Sequence, residues 1–202
     1  MNSLPTWLLG LAAGAPLAVA LLLAARSWRR GVLRVAPLAA APALVLALTG
    51  PVGAKASLPW LVQHTVLELD AVGRVFLGFT SVLWLVSGWY ARGYLVKDAR
   101  LSRFFLFFLL AMAANFTLIL AGDIPTFYAA FALMGLASAG LVFHRGDAEA
   151  ARAGRVYLVL AMLGEVLILT GLVFLVVAGG TTQIAELHRD VVSRPALLLV
   201  LA

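Results

Sequence analysis

The chain has 202 residues, a formal net charge of +6 and no cysteine; 63% of it is hydrophobic and only 12% charged. Soluble globular domains carry roughly 25% charged and about 45–50% apolar residues. With a mean hydropathy of +1.04, the composition excludes a soluble enzyme, a disordered chain and a disulfide scaffold, and leaves a polytopic membrane protein.

About 20 apolar helical residues cross ~30 Å of hydrocarbon. Six runs reach that length: about Leu4–Ala25, Val32–Thr49, Ala71–Tyr90, Phe104–Ala121, Ile124–Phe143 and Val156–Ala178. A seventh begins at Pro195 and has eight residues by Ala202. None alternates as a strand would, and helices satisfy their own backbone groups in lipid. The expected fold is therefore all-α, a single membrane domain over residues 1–202 with six transmembrane helices and the start of a seventh.

The first run is not a cleaved signal peptide, because no Lys or Arg precedes it while Arg26, Arg29 and Arg30 follow. Pro37 and Pro42 predict a kink in the second. The Pro51–Leu69 segment reads as extended chain on the outer face, and Gly179–Arg194 as a link holding a short surface helix. Trp7, Trp28, Trp60, Trp89 and Tyr90 fall near helix ends, where interfacial rings belong.

The basic residues sit in short gaps rather than one stretch, which argues against nucleic acid as a partner. Arg26, Arg29, Arg30 and Arg34 follow the first run; Arg92, Lys97, Arg100 and Arg103 follow the third; Arg145, Arg152 and Arg155 follow the fifth. These eleven face four on the other side, Lys55, Arg74, Arg189 and Arg194. The bias predicts an outside N-terminus and cytoplasmic basic loops in the cell inner membrane.

Glu165 is the informative polar residue. It lies nine residues beyond Val156, ~14 Å into the bilayer and near its midplane. Intramembrane carboxyls face a bundle interior or a wet cavity and mark ion or proton paths. Two readings stand beside each other: a group that takes up and releases a proton, or a permanently neutral acid bonded to a neighbouring helix.

The other candidates have plainer alternatives. Asp70 and Arg74 are one turn apart, which suits an interfacial ion pair. Asp123 is placed to cap the fifth helix. His144 reads as a solvated interfacial histidine or as a proton-entry group. Asn115 is expected to hydrogen-bond across a helix contact. Gly10 and Gly14 match GxxxG, a chance match in so Ala-rich a helix. No histidine pair for haem, phosphate loop or metal-ligand spacing is found, so no cofactor, metal or catalytic centre of its own is expected.

Beyond these physical readings, Leu69-Asp70-Ala71-Val72-Gly73 through Trp89-Tyr90-Ala91-Arg92-Gly93-Tyr94-Leu95 resembles the "LDGL…YA…YM" third helix of the antiporter-like subunits. Those are the proton-pumping membrane subunits of respiratory complex I, with relatives in multisubunit cation/proton antiporters and membrane-bound hydrogenases. Ser102-Arg103-Phe104-Phe105-Leu106-Phe107-Phe108 is similar to the family's "RFFAF", Leu120-Ala121-Gly122-Asp123-Ile124-Pro125-Thr126 to "LAGNLLT", and Leu163-Gly164-Glu165 to the "GD" of the sixth helix.

One departure stands out. The family's fifth helix carries a proton-translocating glutamate in "WELM", whereas here Phe131-Ala132-Leu133-Met134 puts Ala132 at that position. The family's seventh-helix lysine would fall past Ala202. The resemblance thus implies a membrane subunit, or its N-terminal part, of a complex-I-related proton- or cation-translocating assembly with other membrane subunits as partners. The alternative is a non-transporting scaffold for a redox, hydrogenase or inorganic-carbon-uptake module. A piece of a longer subunit, a short paralogue and a relay completed by a partner's charges all fit.

Overall fold

The computed structural model describes residues 4–25, 29–58 and 65–187. Arg26, Trp28, Pro59, Trp60, Arg189, Arg194 and the seventh run lie outside the described residues.

The chain builds helices α1 (Leu4–Ala24), α2 (Arg29–Val35), α3 (Ala41–Thr49), α4 (Ala71–Tyr94), α5 (Leu101–Ile119), α6 (Ile124–Val142) and α7 (Ala148–Gly179). A 3-10 turn over Ala36–Ala40 joins α2 to α3, so that these three pieces form one span. With it, six stretches among the described residues are long and apolar enough to cross a membrane. The polytopic helical fold expected from composition is the fold found. Pro37 and Pro42 account for the interrupted second span: each stands at the first positions of a helical segment, where a missing N–H leaves no bond unmade.

Three helix starts are fixed by acidic caps, and at α7 the cap lies well before the apolar stretch. Asp70, Asp123 and Asp147 are N-caps, accepting from the backbone N–H of Gly73, Thr126 and Ala150. Asp147, with Glu149 in the first turn, starts α7 eight residues before its apolar part. At 32 residues the helix is ~48 Å long, so its charged first turns project beyond the hydrocarbon or the helix tilts. Gly146 and Gly180, at φ +68° and +69°, supply the left-handed residues that close the turn before α7 and the end of α7.

The segment between α3 and α4 holds structure that hydropathy did not announce. Ala54–Leu58 and Thr65–Leu69 pair antiparallel as β1 and β2, so the molecule is helical with one small hairpin rather than purely α. Lys55 and Glu68 are cross-strand partners joined at 2.9 Å. Strand β2 is tied to the α5–α6 turn, with Glu68 N donating to Leu120 O at 2.7 Å and Gly122 N to Val66 O at 2.8 Å.

Helix α5 is the centre of the bundle. Phe105, Leu109, Met112 and Phe116 are fully buried against α1, α6 and the α2–α3 span. Gly140 lets α6 close on Phe107, and Gly88 lets α4 close on Pro37. Helix α7 is peripheral: it packs along α6 and the Phe143–Arg145 turn, and buries only Ala150 and Gly154 within the chain.

Candidate functional site

Glu165 lies on α7, seventeen residues after Ala148 and fourteen before Gly179, ~26 Å and ~21 Å from the two ends. Its side chain turns toward α6 and seats its carboxyl over Gly135, where an added Cβ would stand 2.7 Å from Oε1. Glycine at 135 is what allows this approach. The carboxyl is half-buried and, among the described residues, has no hydrogen-bond or ion-pair partner. Ala132 lies one turn from Gly135 on the same side of α6. A carboxyl carried at 132 would therefore share the α6–α7 seam with Glu165; the methyl group there leaves Glu165 as the acid of that seam.

A polar thread reaches α6 one residue before Gly135. Trp84 Nε1 on α4 donates to Asn115 Oδ1 on α5 at 3.0 Å, and Asn115 Nδ2 faces the Met134 sulfur on α6 at 3.8 Å. Asn115 thus bonds across a helix contact, as expected. Sequence reasoning missed Trp84, although a mid-span tryptophan with an N–H to satisfy was a usable signal. Met134 and Gly135 are consecutive, so the Trp84–Asn115–Met134 thread across α4, α5 and α6 ends one residue from the glycine under Glu165, with no bond between the two among the described residues.

The carboxyls at the hairpin end of the bundle have structural partners. Asp70 Oδ1 accepts from Gly73 N at 2.5 Å. The expected ion pair with Arg74 is not formed: Arg74 instead donates to the carbonyls of Ala47 and Leu48, at 2.8 and 3.1 Å. The reason is that the C-terminal turn of α3 packs beside α4 and offers unpaired carbonyls, while Asp70 is held in its own cap. Asp123 is buried and does more than cap: its carboxylate accepts from Thr126 N at 2.8 Å, Thr126 Oγ1 at 2.9 Å and Val66 N at 2.7 Å.

At the opposite, basic end, His144 differs from the solvated reading. It is buried, 7% exposed, with Nε2 3.0 Å from Asp98 Oδ2. Nδ1 is buried without a partner among the described residues. Phe104 packs edge-on against the ring, and Arg100 donates to the His144 carbonyl at 3.3 Å. The α4–α5 loop folds over the end of α6 and excludes water, which residue type and position could not reveal. The backbone N–H of Arg100, then the His144 ring, hold the Asp98 carboxyl below its usual range. Among the described residues no three His, Asp or Glu are placed to hold a metal ion.

Comparison with known proteins follows the same lines. Residues 121–201 match the model of the NADH:quinone oxidoreductase/Mrp antiporter transmembrane family. The chain is 37% identical over 123 residues to an uncharacterized protein of Mycobacterium tuberculosis, covering 60% of this chain and 19% of the relative. It is 31% identical over 129 residues to NADH-quinone oxidoreductase subunit N of Polaromonas naphthalenivorans, covering 62% and 26%. Among solved structures, a chain of the Mrp complex from Dietzia sp. superposes with a TM-score of 0.66 at 25% identity, covering 96% of this chain and 22% of that one. The chain thus spans about a fifth to a quarter of the length of these proteins.

Proposed function

We propose, from its homology to the antiporter-like membrane subunits of Mrp and complex-I-related assemblies, that this chain carries protons or cations within a multisubunit membrane complex. Glu165 is the acceptor and donor. The observation that carries this reading is the placement of its carboxyl: deep in a span, on a helix–helix seam, over a glycine and, among the described residues, without a fixed partner. A buried carboxyl locked in a salt bridge would be a structural pin. One left without a fixed partner can exchange its proton with water or with a neighbour's charge.

The Trp84–Asn115–Met134 thread supports the same reading, since it brings polar contacts across α4, α5 and α6 to the residue beside Gly135. Ala132 favours a second reading, a membrane scaffold, because the adjoining position of the seam carries no acid. In the transport reading a partner's charge stands in for it. The excess of basic residues in alternate connections supports an outside N-terminus, cytoplasmic basic loops and residence in the cell inner membrane.

The test is proton flux by the purified assembly in proteoliposomes, prepared with and without this chain. Flux that requires the chain is the expected result. Equal flux from both preparations would leave the scaffold reading.

A further inference from the structure

The basic end of the bundle holds a cavity of about 360 Å³ between α1, the start of α2 and the start of α5. Its walls combine Arg29, Arg100, Ser102 and Arg103 with the apolar side chains of Leu23 and Leu106. Among the described residues no carboxylate lines it and none of the three arginines forms an ion pair, although Arg100, exposed like Arg103, is close enough to Asp98 to help hold that carboxyl down. Arg29 Nε is buried with no hydrogen-bond partner among the described residues. Arg100 is held over the loop by its bond to the His144 carbonyl. A buried guanidinium N–H without an acceptor is costly, and three converging cations repel one another. Both penalties vanish when an anion with several acceptor oxygens enters.

We propose that this cavity binds the phosphate of an anionic phospholipid, with Arg29, Arg100 and Arg103 as its charge-assisted donors and Ser102 as a neutral one. Phosphate matches the geometry: its oxygens accept forked guanidinium bonds, which a single carboxylate cannot spread over three arginines. A lipid rather than a free ion is favoured by the place. The cavity opens where membrane-spanning helices end, at headgroup level, and Leu23 and Leu106 form its apolar side. On the same stretch of α1, Leu21 is 67% and Leu22 46% exposed, a greasy surface on which an acyl chain can lie. Basic pockets between transmembrane helices are places where phosphorylated headgroups lodge. The proposal is independent of whether Glu165 carries protons.

The test is native mass spectrometry of the full chain in detergent, titrated separately with phosphatidylglycerol, phosphatidylcholine and inorganic phosphate. Phosphatidylglycerol should bind at least about tenfold more tightly than phosphatidylcholine, the size expected for charge-assisted bonds. The double variant Arg29→Gln/Arg103→Gln should lose that preference. Leu106→Trp, which fills the cavity without touching a charge, should lose it too, and circular dichroism confirms that each variant keeps its helices. Arg152→Gln/Arg155→Gln removes the same charge from exposed sites on α7 and should bind as the wild type does. Equal binding of the two lipids, retention of the preference in both cavity variants, or an equal loss in the α7 control would overturn the site. Inorganic phosphate binding as tightly as phosphatidylglycerol would overturn the lipid assignment.

Discussion

His144 and Asp98 illustrate how the meaning of a residue changes when a loop covers it. A histidine next to Arg145 at a helix end suggests solvent, yet the α4–α5 loop buries it and pairs it with Asp98 at 3.0 Å. The partner is 46 residues away in sequence, and no local pattern links the two. Because Asp98 titrates below its ordinary value of 3.8 in the folded chain, its pairing stabilises the loop at neutral pH. That contribution is lost as pH falls through the lowered value, below 3.8. Asp98→Asn should therefore melt lower than wild type at pH 7 and converge with it in strong acid, read as thermal unfolding in detergent across that range. A constant difference at every pH would refute the assignment. Glu165 was legible from the sequence as a mid-span acid, whereas its seat over Gly135 was not: the register between α6 and α7 is a tertiary fact.

Among the elements, helix ends were blurred and helix existence was plain. Apolar runs of about 20 residues could hardly be missed, but α4 and α7 extend into polar residues that hydropathy discounts. The hairpin was invisible because its inward set, Thr65, Leu67 and Leu69, is only three residues long and was read as extended chain. Asp123 joins these elements, since one carboxylate caps α6 and holds the Val66 N–H of β2. Asp123→Ala removes a cap worth about 1 kcal/mol and strands a Val66 N–H at about 1–3 kcal/mol. A loss of about 2–4 kcal/mol in unfolding free energy is expected. Asp70→Ala, which loses a cap alone, should lose about 1 kcal/mol. Equal losses from the two variants would show that the bond to β2 contributes nothing.

For the molecule as a whole, α5 is the packed centre and α7 the open edge. The α7 surface carries exposed Val159, Leu163, Val166, Leu167, Phe174 and Val177, an apolar face left open within the chain. The motifs that carry the family resemblance run from Leu69 to Glu165, and the match over residues 121–201 overlaps their later part. With no cysteine in the chain, orientation can be read directly. Lys55→Cys should react with an impermeant maleimide in intact cells, while Arg152→Cys should react only after the cells are opened. The reverse pattern would invert the topology.

Placing proton or cation transfer at the α6–α7 seam makes one measurement decisive: flux through the assembled complex in proteoliposomes carrying Glu165→Gln. The amide keeps the shape of the side chain and the contact with Gly135 but cannot release a proton. With the complex assembled to wild-type yield, the account predicts a flux at least about tenfold lower, since replacing the essential proton carrier removes on the order of 1.4 kcal/mol or more of barrier lowering. Flux at the wild-type rate would contradict it.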